Sequence, residues 1–163
     1  MNEISARALV ETPLGQIEVC VANSKVVEIN FVEQASETSS ASSPEDRATA
    51  AVAASQLREY FAGQRRSFDL PLHFSGTSFQ EAVWREIAKI PFGETVTYQD
   101  LAERVGKPKA ARAVGGAVGA NPLGIVVGCH RVMGSSGKLT GYSGGKGLPT
   151  KEKLLELEGI SYK

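Results

Sequence analysis

The sequence predicts an α+β protein in two parts: a small antiparallel sheet carrying one helix, then a mostly helical half built on a helix-turn-helix. Three observations predict it. β-branched residues alternate with polar ones through the first thirty or so positions, and apolar residues recur at helical spacing from Thr77 onward. Two short helical stretches then meet at Gly106-Lys107-Pro108. A chain of 163 residues, 42% hydrophobic and 22% charged, has room for one large domain or two small ones. The expected boundaries are 1–76 for an N-terminal α/β supporting unit and 77–163 for the second unit.

In the first unit, Arg7 to Val10, Gln16 to Val21 and Val26 to Val32 read as strands. Thr12-Pro13-Leu14-Gly15 and Ala22-Asn23-Ser24-Lys25 are good turn sequences, so the three runs form a meander. Residues 34–46 are rich in Ser, Glu, Ala and Thr without any period and read as a mobile loop. Pro44 or Glu45 opens a helix to about Ala62, with Val52, Leu57, Tyr60 and Phe61 for its apolar face and Gly63 as its stop. Ser67 to Phe74 alternates again and reads as an edge strand, limited by Pro71.

In the second unit, Thr77 or Ser78 caps a helix with Phe79, Val83, Trp84 and Ile87 at helical spacing, ended by Pro91-Phe92-Gly93. Thr97-Tyr98-Gln99-Asp100 has the form of a capping box and starts a short helix through Val105. Pro108 suits a first helical turn, so the next helix spans Lys109 to Gly119. That helix is nearly all Ala and Gly around Arg112. Small residues pack closely against a neighbouring helix; a narrow helix can also approach DNA with Arg112 as its one long side chain in the middle.

Chemistry gathers at Cys129. Of 2 cysteines and 2 histidines, one of each stands side by side in Gly128-Cys129-His130-Arg131-Val132. Thiolate is the reactive form of cysteine, and a neighbouring base or cation favours it. On an extended segment adjacent side chains diverge, so His130 would need a turn or a bridging water to reach the thiol. Between Glu103 and Glu152 there is no acid, while Arg104, Lys107, Lys109, Arg112, Arg131, Lys138, Lys146 and Lys151 are basic. Residues 77–163 hold 12 Lys/Arg against 8 Asp/Glu, whereas residues 1–76 hold 6 against 10. Clustered cations supply most non-specific affinity for nucleic-acid backbones, although the plain alternative is a solvated, charge-speckled surface.

Other classes are disfavoured. No apolar run approaches the roughly 20 residues of a membrane span. The start Met1-Asn2-Glu3-Ile4-Ser5 lacks the basic-then-apolar character of a signal peptide. Two distant cysteines make no disulfide framework, and a reactive thiol suits a reducing compartment, so the chain is expected in the cytoplasm. Cys20 lies in a strand pattern and reads as a small buried apolar residue. With His73 it falls short of the four ligands zinc prefers, so no metal and no cofactor are expected.

Several blocks follow one another in an order that carries a resemblance: Pro91-Phe92-Gly93-Glu94 with Tyr98-Gln99, Ala111-Arg112-Ala113-Val114-Gly115, Asn121-Pro122, Cys129-His130-Arg131-Val132, Ser135-Ser136-Gly137 and Gly141-Tyr142-Ser143-Gly144-Gly145. The chain resembles the O6-alkylguanine-DNA alkyltransferases, closely over residues 77–158 and more loosely before them. The resemblance implies a ribonuclease H-like first unit and a winged-helix second unit. It implies repair of double-stranded DNA by a monomer: the damaged guanine is flipped out, and the alkyl group moves irreversibly, once per molecule, to a cysteine. O4-alkylthymine is an expected second substrate.

Residue by residue, Cys129 matches the acceptor, His130 the base acting through a water, and Glu158 the acid that orients it. Asn121 matches the brace of the active-site loop. Tyr98 matches the residue that presses on a phosphate and donates to the base, and Arg112 the finger that fills the gap. Val132, Tyr142 and Ser143 fall in the base pocket; Gln80, Gln99, Lys107 and Ser135 fall where such proteins contact the DNA backbone. Two departures stand out. Gly128 replaces the usual proline before the cysteine, which implies a looser and slower nucleophile. The stretch Lys146 to Thr150 is about two residues longer than usual, so the match of Glu158 crosses a length change. A damage sensor without chemistry is the main alternative, against which Cys129 argues. A transcription regulator would carry more base-reading side chains on the second helix, and a cysteine hydrolase would need an acyl pocket.

Overall fold

The computed structural model describes residues 4–33, 43–142 and 144–162. The chain divides into two compact units, Met1–His73 and Phe74–Lys163. The fold is α+β.

In the first unit, β1 (Ala6–Thr12), β2 (Gly15–Ala22) and β3 (Lys25–Val32) form an antiparallel sheet in the order β1-β2-β3. The β1–β2 register pairs Thr12 with Gly15 around Pro13-Leu14. Between β2 and β3, Asn23 and Ser24 both have positive φ, 51° and 63°, the backbone a two-residue hairpin turn with the sheet's own twist requires. Helix α1 (Pro44–Phe61) lays Ala50, Ala53, Ala54, Leu57 and Tyr60 on the sheet. Its start is over-determined: Ser43 accepts a hydrogen bond from the Asp46 amide, and Pro44 fixes the first turn.

Two expectations change here. Residues 44–46 are helical rather than part of a loop, because that cap claims them, and residues 34–42 lie outside the described residues. The strand expected over 67–74 reduces to one bridge, in which Val26 donates to the Pro71 carbonyl at 2.7 Å and accepts from the His73 amide at 3.0 Å. Proline has no N–H to continue the ladder.

In the second unit, α2 (Ser78–Ala88) begins with a full capping box, in which Thr77 and Gln80 each accept from the other's amide. It buries Val83, Trp84 and Ile87. The two-residue strand β4 (Val96–Thr97) runs into α3 (Tyr98–Arg104), whose Thr97–Asp100 box is of a kind worth about 1 kcal/mol. Gly106, at φ 77°, turns the chain toward α4 (Ala111–Gly119). This helix starts two residues later than expected: the Ala110 amide bonds the Lys107 carbonyl at 2.8 Å, so Pro108 sits in a separate turn. Trp84 Nε1 donates to the Ala117 carbonyl at 2.7 Å and fastens α2 to α4. Strand β5 (Val132–Met133) pairs in parallel with β4, and α5 (Leu148–Leu157) closes the unit.

Candidate functional site

The segment before Cys129 is tightly wound. Ile125 has φ 72°, and across it the Val126 amide reaches the Gly124 carbonyl at 2.8 Å. A β-branched residue there is a real outlier, of a kind that stores about 1–3 kcal/mol and persists only where its surroundings enforce it. Asn121 does so: its Nδ2 donates to the Val127 carbonyl at 2.8 Å, and its Oδ1 accepts from the Leu123 amide at 2.9 Å. Gly128 follows in a second tight turn, φ −73° and ψ 64°, with the Cys129 amide on the Val127 carbonyl at 2.8 Å. Cys129–Arg131 is then a single 3₁₀ turn. The extended segment considered for Cys129 and His130 is therefore replaced by a turn.

Behind the cysteine lies a buried ionic cluster. His130 Nε2 is 2.6 Å from Glu158 Oε2, and neither side chain is exposed. Arg131 meets the same carboxylate with Nε at 2.8 Å and Nη2 at 3.0 Å, and its Nη1 donates to the Ile90 carbonyl at 2.7 Å. The Gly93 amide adds a further bond to Glu158 at 3.1 Å, from a turn whose φ of 83° suits glycine. So many donors keep Glu158 an acceptor only, which puts the imidazole proton on Nε2 and leaves Nδ1 as the basic nitrogen. Nδ1 is buried and has no hydrogen-bond partner among the described residues. Burial holds His130 below its ordinary pKa despite Glu158, so the ring is neutral at neutral pH.

In front of the cysteine is a cavity of about 330 Å³ lined by Tyr98, Gly115, Val118, Gly119, Cys129, Gly141 and Tyr142, a size typical of small-molecule pockets. Gly115 and Gly119, one helical turn apart on α4, make the room, so the small residues serve a cavity as well as packing. A second cavity, about 480 Å³, shares Tyr98 and Gly115 and adds Arg112, Gln99 and Ser135. The Tyr98 hydroxyl is 2.9 Å from that of Thr140. The β4–β5 pairing of Val96 with Val132 sets this tyrosine and the nucleophile turn in one frame.

Cys129 is 5% exposed, and burial pushes its thiol up, opposed by hydrogen bonds from Asn121 and Tyr142 and by the charge of Lys151. The resting sulfur is thus a thiol, not the ready-made thiolate the sequence suggested. Burial also pushes the Tyr142 hydroxyl up, so it remains a donor.

The structure brings Cys129, His130, Glu158, Asn121, Tyr98 and Tyr142 together, with Val132 closing the turn through its amide on the Cys129 carbonyl. Arg112 is exposed on the first turn of α4, Ser135 is exposed beside it, and Lys107 is exposed between the helices. Two polar residues have internal tasks. Gln80 completes the α2 cap, and Gln99 Nε2 donates to the Pro108 carbonyl at 2.7 Å. Ser143 lies outside the described residues. Sequence reasoning missed Gly93, Arg131 and Lys151 as members of this site.

Family models match in two consecutive pieces: the ribonuclease-like domain of 6-O-methylguanine DNA methyltransferase over residues 6–74, and its DNA binding domain over residues 78–160. The chain is 44% identical over 153 residues to a methylated-DNA--protein-cysteine methyltransferase of Methanosarcina acetivorans, covering 93% of this chain and 97% of that one. It is equally identical over 158 residues to the constitutive protein of that name from Bacillus subtilis, covering 94% of each. Among solved structures, Mycobacterium tuberculosis OGT in complex with DNA is similar with a TM-score of 0.81 and 43% identity, covering 94% of this chain and 92% of that one.

Proposed function

The chain belongs to the 6-O-methylguanine DNA methyltransferase family, and on that premise we propose that it repairs DNA by moving an alkyl group from O6 of guanine to its own Cys129. The observation that carries this reading is a buried thiol on a cavity wall, backed by a neutral imidazole whose basic nitrogen is unpartnered and whose other nitrogen rests on a buried carboxylate.

The chemistry follows from the residues. A guanine inside a duplex cannot reach Cys129, so it is flipped from the stack at a cost of a few kcal/mol. Arg112, exposed beside the neighbouring cavity, fills the gap by stacking and hydrogen bonding together. Gln80, Gln99, Lys107 and Ser135 contact the DNA backbone; for Gln80 and Gln99 this engages atoms left over from their internal bonds. The thiol proton passes through a bridging water to His130 Nδ1, and Glu158 stabilises the imidazolium that forms. Sulfur attacks the alkyl carbon; the S–C bond forms as the C–O6 bond breaks, and the electron pair stays on the guanine. Tyr98 gives the purine a proton, which balances the one that left sulfur, so no cofactor is consumed. Val132, Tyr142 and Ser143 hold the base.

The product is a thioether, which no residue of the site can reverse. One molecule therefore repairs one lesion, as a monomer. O4-alkylthymine presents the same alkoxy group beside a ring nitrogen and is a second substrate. Free Cys20 and Cys129 suit the reducing cytoplasm.

Intact mass after incubation with a duplex carrying O6-methylguanine tests this directly. The expected result is a gain of one methylene in the wild type and in Cys20→Ser, and none in Cys129→Ser. Binding without a mass gain would make the protein a damage sensor, and a gain that survives in Cys129→Ser would move the acceptor elsewhere.

A further inference from the structure

Lys151 lies in the first turn of α5, is 1% exposed, and points inward. Its Nζ donates to the Val132 carbonyl at 2.7 Å and reaches the Gly141 carbonyl at 3.5 Å. Both carbonyls belong to the site: Gly141 lines the Cys129 cavity, and the Val132 amide bonds the Cys129 carbonyl. Buried ammonium groups are paired with carboxylates almost without exception, because an isolated charge is expensive to desolvate. Among the described residues no carboxylate pairs with Lys151. A cation in the first turn of a helix also opposes the helix dipole. Folding thus holds a charge here that both burial and position disfavour, and the group that gains from that charge is Cys129.

We propose that Lys151 is the built-in counter-ion of the reacting sulfur: its ammonium, fastened between two carbonyls of the cavity wall, supplies the positive charge that lets Cys129 react as thiolate inside a buried site. Lys151 acts through the sulfur and is a positioning residue rather than a catalytic one. The proposal rests on Cys129 as acceptor and adds to the relay a second means of stabilising the anion. His130 removes the proton; Lys151 stabilises what remains. The same charge disfavours protonation of His130, which keeps that base available.

The surrounding groups are few. Cys129 and His130 face Lys151 from the nucleophile turn; Glu158 and Arg131 stand behind His130 and are paired with each other; Tyr142, hydrogen-bonded to Cys129, stays protonated. Glu152, next on α5, engages the Tyr162 hydroxyl at 3.5 Å. Burial pushes Lys151 down to about 8. A base whose folded pKa lies below its unfolded value costs stability while it is charged in the folded state: the penalty is full below pH about 8 and is lost as pH rises from there toward the ordinary value of 10.5. Such a cost near neutral pH fits a charge retained for chemistry.

Alkylation by iodoacetamide, without DNA, reads the sulfur itself and so separates this proposal from the repair reading. In a Cys20→Ser background only Cys129 reacts. Lys151→Met is expected to slow alkylation about tenfold at neutral pH, where the wild-type ammonium is charged and one unit of thiolate stabilisation is a factor of about ten in reactive sulfur. The two curves should converge as pH rises past about 8, where the wild-type ammonium gives up its proton. An unchanged rate at neutral pH in a folded Lys151→Met protein overturns the proposal. Should that variant fail to fold, the ammonium of Lys151 can be titrated by NMR in the wild type and in Cys129→Ser. Loss of the sulfur, whose negative charge favours the ammonium, should make Lys151 titrate at lower pH, and identical titrations overturn the proposal.

Discussion

At Gly128 two effects of a side chain oppose each other. The backbone there, φ −73° and ψ 64°, lies within the range a proline ring holds, so glycine is not required by conformation. Space is the tighter constraint. A Cβ would lie 3.1 Å from Cδ, Nε and Nη1 of Arg131, whose guanidinium is already held by Glu158 and the Ile90 carbonyl. Overpacking of this kind costs about 1–3 kcal/mol where neighbours cannot yield, while fixing φ at a compatible site returns about 0.4–1 kcal/mol. Gly128→Ala adds the crowding alone, and Gly128→Pro adds crowding together with stiffness. We expect the alanine variant to melt lower and transfer more slowly than wild type, and the proline variant to transfer faster than both. Melting curves and single-turnover alkyl transfer measure the two terms. A proline variant no faster than alanine would mean that freedom of the Gly128 backbone does not limit the nucleophile.

Among the helices, α4 carries the two demands of the proposed reaction: room for a base at Gly115 and Gly119, and a long cation at Arg112. Arg112 is needed only when a duplex must be held open. Arg112→Ala should therefore slow transfer from duplex about tenfold or more, since each 1.4 kcal/mol of lost support is tenfold, and leave transfer from free O6-methylguanine base nearly unchanged. Equal losses on both substrates would remove the finger role. How much of each element was legible depended on whether its signal was local. The Thr97–Asp100 box and the Asn23-Ser24 turn are written in four or fewer residues, and both elements lie where the sequence puts them. The start of α4 was misread because Pro108 fits a first helical turn equally well, and the Ala110–Lys107 bond that ends the preceding turn has no sequence signature. Gln80 carried a readable signal that was overlooked, three residues after Thr77 in a capping box. Lys151 carried one too: with Leu154, Leu155 and Glu158 it follows the i, i+3, i+4, i+7 spacing of a buried face. Read as one more cation in a basic run, it looked external.

Across the whole molecule, the acid-free run from Arg104 to Lys151 is not one uniform surface. Arg104, Lys107, Lys109, Arg112, Lys138 and Lys146 are exposed, whereas Arg131 and Lys151 are buried, one against Glu158 and the other against carbonyls of the cavity wall. Composition could count the cations but not say which way they face; that follows from the turn at Cys129 and the register of α5. Only the exposed six can release counterions from DNA. Each phosphate neutralised contributes about −0.9 to the slope of log affinity against log salt, so the run accounts for a slope no steeper than about −5. In a Cys129→Ser background, where binding is read without transfer, replacing Lys107 or Arg112 with alanine should flatten the slope by up to about one unit each. Lys151→Met should leave the slope as it is, although it changes the sulfur. Fluorescence anisotropy of a labelled duplex over a salt series measures this. A Lys151→Met slope flattened as much as that of Lys107→Ala would put the ammonium on the phosphates, and the internal role argued for it would fail.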